Sequence, residues 1–153
     1  MITWKEIDDA VGGIVSAALT DADLTAARIR SDISEPIARR SYRIDLTNTD
    51  DTRTETYAER GMDVEIYYYP QEKERPRDEL NDASQVLKSA LGGGILVSDV
   101  HIELSEGIEA DVSDGILTLM FRLEWIETKE DEGEMMEKLV VDGEEAVNGS
   151  NDA

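Results

Sequence analysis

Thirty-six carboxylates, one histidine and no cysteine set the chemistry open to this 153-residue chain. His101 is flanked at two-residue spacing by Asp99 and Glu103, a pattern that puts all three on one side of a strand. Such a trio could hold a weak cation, or simply form a wet strand face. A lone histidine excludes metal sites built on His pairs and leaves no Ser-His pair elsewhere. Without cysteine, neither a disulfide framework nor a thiolate metal site is available. Gly92-Gly93-Gly94 follows a helical pattern rather than preceding one, so it cannot present helix N–H groups to a phosphate. Asp50, Asp51 and Glu55 lack the spacing of a calcium loop. The remaining acids are spread through loops and tail, with no spacing that singles out a general acid/base pair. The residues predict no active site, no cofactor and no metal: the chain reads as a non-enzyme.

Three charge features remain as candidate binding elements. Arg28, Arg30, Arg39, Arg40 and Arg43 fall in the window 28–43 against only Asp32 and Glu35, an island of +3 in a chain of −21. They could pair with acids of their own sheet, or form a subunit interface with an acidic partner, another copy of the chain included. Residues 47–56 are Thr, Asp, Asn, Arg and Glu, the composition of a mobile loop or of a hairpin tip projecting into solvent. Asp50, Asp51, Arg53 and Glu55 are its charged candidates. Residues 127–153 hold ten acids against Lys129 and Lys138, a net of −8, so a disordered or partner-ordered tail is expected. Met135, Met136, Leu139, Val140 and Val141 interrupt it as an apolar island suited to strand addition on a partner's sheet edge.

The elements that must carry these groups follow from periodicity. In residues 115–126, Leu117, Leu119, Phe121, Leu123 and Trp125 recur at every second position, a strand with one face in a core and the other partly wet. Asp114-Gly115 before it is a tight turn pair. Thr3-Trp4-Lys5-Glu6 is a capping box, with Ile2 and Ile7 placed as a hydrophobic staple. Trp4, Ile7, Val11, Ile14, Val15 and Ala18 then predict an amphipathic helix over 4–19. Gly12-Gly13 within it implies close approach by another element. Short strands are expected at 27–30 and 37–47, and another at 57–69, closed by Pro70. A second helix starts near Pro76, carries Leu80, Ala83, Val86, Leu87, Ala90 and Leu91 on one face, and stops at the triple glycine. One strand is expected at 97–104 and a short edge strand at 108–112. The expected core is Trp4, Ile7, Val11, Tyr42, Ile44, Val64, Ile66, Leu87, Ile102, Leu119, Phe121 and Leu123. The sum is an α+β fold, a mostly antiparallel sheet packed by two helices, in a domain of residues 1–127 with an acidic C-terminal extension at 128–153.

An acidity of −21 argues against nucleic acid as a ligand, since phosphate contacts need Lys and Arg. It suits a salt-adapted host, a DNA-mimicking inhibitor, or a surface that must not stick to DNA. No stretch approaches the roughly 20 apolar residues that span a bilayer, and the N-terminus lacks a signal-peptide pattern. A cytoplasmic protein without a membrane partner is therefore expected.

Several segments together resemble the tail-terminator family of long-tailed bacteriophages. They are the M-I-T-W-K-E-I opening, R-R-S-Y-R-I-D-L at 39–46, D-V-E-I-Y-Y-Y-P at 63–70, the helix L-x-x-A-x-x-V at 80–86, and D-G-I-L-T-L-M-F-R-L-E-W at 114–125. The resemblance covers about residues 1–127; the strong acidity and the long tail depart from it. It implies a structural virion protein, usually a hexameric ring, that caps the head-proximal end of the tail tube, ends tube polymerisation and offers the head-tail joining surface. Its implied partners are itself, the tail tube protein and head-completion or connector proteins, with DNA passing through the lumen unbound. Its implied place is the tail-neck junction of the virion, reached from the host cytoplasm during assembly. The alternatives are another neck or head-completion ring protein and the DNA-mimicking inhibitor.

Overall fold

The computed structural model describes residues 1–30 and 39–128. Thr3 caps the first helix, α1 (Trp4–Asp21): its hydroxyl accepts from the Glu6 N–H at 3.1 Å, and the Glu6 carboxylate accepts from the Thr3 N–H at 2.8 Å. Ile2 and Ile7, on either side of the cap, are both buried as a staple requires. Ile7, Val11, Val15 and Leu19 make the buried stripe at four-residue spacing. Trp4 is not in the core: it is 49% exposed. It stands at the first helical position, where a side chain leans back past the helix end, and Ile2 is the residue buried there instead.

Strands β1 (Ala27–Arg28), β2 (Ser41–Arg53) and β3 (Tyr57–Tyr69) precede the second helix, α2 (Arg77–Leu91). Four more strands follow: β4 (Ile95–Val97), β5 (Val100–Ile102), β6 (Glu109–Ser113) and β7 (Ile116–Thr128). The main sheet has the order β1-β2-β3-β7-β6. β1 runs parallel to β2, pairing Ala27 with Ser41 and Arg28 with Tyr42, while β6 and β7 are antiparallel. Asp114 and Gly115 join β6 to β7 with φ of 56° and 73°, the two positive values of a tight hairpin turn. Two helices against a mostly antiparallel sheet make the α+β architecture.

One expected element differs. The 97–104 stretch is not one strand; Ser98 and Asp99 adopt φ of 48° and 68° and fold it into the β4–β5 hairpin, with Val97 opposite Val100. Of the two forms expected for the 47–56 stretch, a mobile loop or a hairpin tip in solvent, the structure has the hairpin. β2 continues to Arg53, and only residues 54–56 form the connection to β3. Asn48 has a φ of 48° inside that strand, and the alternation of buried and half-buried residues has stopped before it, at Leu46.

The described chain divides into two compact units. The larger comprises Ile2–Thr49 and Gly61–Glu124. Its core faces the helices: Tyr42, Ile44, Val64, Ile66, Tyr68, Leu117, Leu119, Phe121 and Leu123 from the strands, with Ile7, Val11, Leu80, Leu87 and Leu91 from the helices, are all buried. The smaller comprises Met1, Asp50–Arg60 and the chain from Trp125.

Candidate functional site

In the larger unit the helix-free side of the sheet carries a ladder of polar groups. Arg43 reaches Asp45 at 3.2 Å and lies over the Tyr67 ring, 4.5 Å from its centre. The Tyr67 hydroxyl donates to Glu65 at 2.6 Å, and that bond foremost raises its pKa. Arg122 donates to Asp63 at 2.9 Å, to Glu124 at 3.1 Å and to the Asn48 carbonyl at 3.3 Å. The Asn48 amide also donates to Asp63, and this bond, with Arg122, holds the Asp63 carboxyl below the ordinary carboxylate range. Met120, on the same side, is 40% exposed. The face is polar, cross-linked within the chain, and half open to solvent.

The structure places the arginine island around the start of β2. Arg28 is bound to Asp8 of α1 at 2.6 Å with its side chain 13% exposed. It runs across Gly12, where a Cβ would lie 2.5 Å from its Nη1. The close approach expected at Gly12-Gly13 is therefore this side chain, and it concerns Gly12 alone, since nothing lies within 4 Å at Gly13. Arg30 is 3.8 Å from Asp8 and its side chain is 67% exposed. Arg40 pairs with Glu79 at 3.2 Å and donates to the Asp23 carbonyl. Arg39 is exposed and donates to the Pro70 carbonyl at 3.2 Å. Arg28, Arg30, Arg40 and Arg43 thus make ion pairs within the chain, Arg30 only at 3.8 Å, and Arg30 and Arg39 stand outermost.

The smaller unit holds the other charged candidates. Arg53 binds Asp51 at 3.0 Å and lies 3.3 Å from the Met1 sulfur. Thr54 closes the hairpin, its N–H donating to the Tyr57 carbonyl at 2.8 Å. Asp50, Asp51, Arg53 and Glu55 are exposed or nearly so. Behind them Arg60 pairs with Glu127 at 2.8 Å, both side chains largely buried, and lies 5.2 Å over the Trp125 ring. The Trp125 indole N–H donates to the same carboxylate oxygen at 3.0 Å. Met135, Met136, Leu139, Val140 and Val141 lie outside the described residues, as do Asp32, Glu35 and Pro36.

Glu79 is the group that sequence reasoning missed. Read only as an acid near a helix start, it accepts from the Tyr68 hydroxyl at 2.6 Å and from the N–H groups of Gln71 and Glu72. Burial pushes its pKa up, yet those three hydrogen bonds and Arg40 outweigh it and hold the carboxyl low. The signal was present in Tyr-Tyr-Tyr-Pro followed nine residues later by an acid, but nothing local distinguishes it. His101 lies 2.8 Å from the Gly93 carbonyl through Nε2; a carbonyl only accepts, so that nitrogen carries its proton. Among the described residues, no group of three or more His, Cys, Asp or Glu side chains could hold a metal ion.

Comparison with known proteins identifies the arrangement. The model of a family described as phage tail terminator protein matches residues 6–135. Among solved structures, the chain is similar to one from the virion of a native gene transfer agent particle, with a TM-score of 0.53 and 16% identity. The match covers 78% of this chain and 92% of that one, and at this identity it speaks for the fold. No curated protein matches the chain.

Proposed function

Because the chain belongs to the phage tail terminator family, we propose that it is a non-enzymatic virion protein that closes the head-proximal end of a tail tube. In this reading copies of the chain assemble into a ring, six being the expected number. One ring face meets the last ring of tube protein and stops its growth; the other receives the head-completion or connector proteins at the tail-neck junction. Assembly takes place in the host cytoplasm. The observation that carries the reading is the family match over residues 6–135.

The surface chemistry supports it. A ring of identical subunits meets head to tail through two different patches, and an arginine island on an acidic chain supplies one of them. Arg30 and Arg39 form its outward part, with Arg28, Arg40 and Arg43 held beneath. The hairpin tip carries Asp50, Asp51 and Glu55 against Arg53 alone, a net of −2. Facing the tube or the lumen, such a tip repels DNA phosphate and lets the genome slide past without being bound.

The test is assembly. Light scattering and negative-stain imaging of the purified protein should show closed rings, and adding it to polymerising tube protein should cap tubes at one end. Replacing Asp50, Asp51 and Glu55 with Ser should leave a folded ring with impaired capping. A protein that stays monomeric and leaves tube length unchanged at saturating concentration overturns the reading, and inhibition of a DNA-binding enzyme instead would favour the DNA-mimic alternative.

A further inference from the structure

β1 pairs with only the first two residues of β2, continuing as far as the Ile29 N–H donating to the Tyr42 carbonyl at 2.8 Å. Among the described residues no other strand lies on that side of β2. Where β1 stops, the structure has an open cleft of about 370 Å³. The end of β1 forms one wall, with Arg28, Ile29 and Arg30. Arg43, Ile44 and Asp45 of β2 form another, and Asp8 of α1 completes the lining. The cleft is therefore a notch at a sheet edge, in line with a strand that has just ended. Such an edge takes up an added strand readily.

The notch is chemically selective. Among the described lining residues, three arginines stand against two aspartates, +1 in a chain of −21. The buried Nε atoms of Arg28 and Arg43 have no hydrogen-bond partner among the described residues, and a buried donor left unsatisfied favours an incoming acceptor. Ile29 and Ile44 give the same notch an apolar component. The occupant should be a short β-prone apolar run flanked by acids.

We propose that the notch receives residues 137–142 of a second copy of this chain, Glu-Lys-Leu-Val-Val-Asp, as a strand added along β2 where β1 leaves off. Leu139, Val140 and Val141 supply the apolar run, and Glu137 and Asp142 the flanking acids. The chain continues 25 residues past Thr128, a length that spans up to ~80 Å when extended. The opposite sheet edge, β6, presents Glu109 and Asp111 and would repel so acidic a segment. The inference rests on the ring reading and adds how one subunit grips the next.

The chain has no cysteine, so single cysteines report the contact. Full-length D45C and V140C proteins are mixed, oxidised and analysed by non-reducing mass spectrometry, alongside light scattering of the unmodified chain. A D45C–V140C cross-linked pair is expected, at least tenfold above the pair formed by V140C with S89C, a control on the exposed side of α2. Equal yields with the control overturn the proposal. The double variant D45C/V140C closing only within single chains also overturns it, showing that the tail fills its own notch. Rings without the cross-link overturn the inference and leave the ring reading standing; absence of both rings and cross-link overturns the two together.

Discussion

The guanidinium of Arg122 occupies the space that a side chain on Gly61 would fill: a Cβ there would lie 2.8 Å from Nη2. Because Gly61 has no side chain, an arginine rooted in β7 lies across β3 and donates to the Asn48 carbonyl of β2. One side chain thereby links three strands on the helix-free face. Gly61→Ala should displace it and cost about 1–3 kcal/mol, the usual range for overpacking. Denaturant melts of Gly61→Ala alone and in an Arg122→Ala background check this. The cost should shrink markedly in the double variant if the collision is with Arg122.

Gly12 and Gly13 are adjacent in α1 yet predict opposite outcomes. Gly13 is open, so Gly13→Ala should stabilise the chain by about 1 kcal/mol through helix propensity alone. Gly12→Ala gains the same propensity but pushes Arg28 away from Asp8, leaving a largely buried guanidinium without its ion pair. It should be destabilising. Thermal melts of the two single variants suffice, and equal effects would show that Arg28 moves aside freely.

Glu79 and Tyr68 predict how stability depends on pH. The Glu79 carboxyl is held below its ordinary value of 4.5, so its contribution is fully present above that pH and is lost as pH falls through the lower folded value. Tyr68 is shifted the other way, by burial first and by Glu79 next. Its contribution is present below about pH 10 and fades as pH rises beyond it. Melting temperatures of the parent and Glu79→Gln should therefore differ at pH 7 and converge toward pH 3. A pH-independent gap would mean that Glu79 acts through shape rather than charge.

Much of this frame was legible from short-range pattern. The β7 alternation named Leu117, Leu119, Phe121, Leu123 and Trp125, and all five are buried. The capping box at Thr3 and Glu6 forms atom for atom. What pattern could not show was anything set by contact between distant residues. Asn48 adopts a positive φ with its amide on Asp63, fifteen residues away, and the alternation of β2 has stopped by Leu46, so pattern alone left loop and hairpin tip both open for the stretch after Thr47. Ser98-Asp99 turns without the Asn-Gly or Asp-Gly signal, and a hairpin passed for one strand. The arginine island was visible as charge, but the burial of Arg28 and Arg40 against Asp8 and Glu79 is set by partners that sequence distance hides.

Phe121 is 5% exposed in the centre of β7. Phe121→Ala should cost about 3–5 kcal/mol, measured by urea unfolding of the full chain. A loss below about 1 kcal/mol would mean that the strand can slide its register.

Arg30 and Arg39 should matter to assembly more than to folding. Changing both to Glu should leave the melting temperature of the isolated chain nearly unchanged while weakening ring formation. Assembly of the parent should itself weaken with salt, because exposed charges are screened over about 8–10 Å. Rings of unchanged stability in the double variant would assign these arginines to solvent.

The two tryptophans, Trp4 at 49% exposure and Trp125 at 8%, sit in different units of the fold. They give the protein two built-in fluorophores with distinct surroundings. Trp4 emits from a wet helix start, and Trp125 from beneath a guanidinium, with its indole N–H bonded to a carboxylate. Each can be silenced by a single Trp→Phe change. The blue-shifted emission then tracks loss of the Arg60–Glu127 lock, and the red-shifted one registers anything that covers the first turn of α1. A partner docking over that turn would announce itself as a shift in Trp4 emission, with no dye attached.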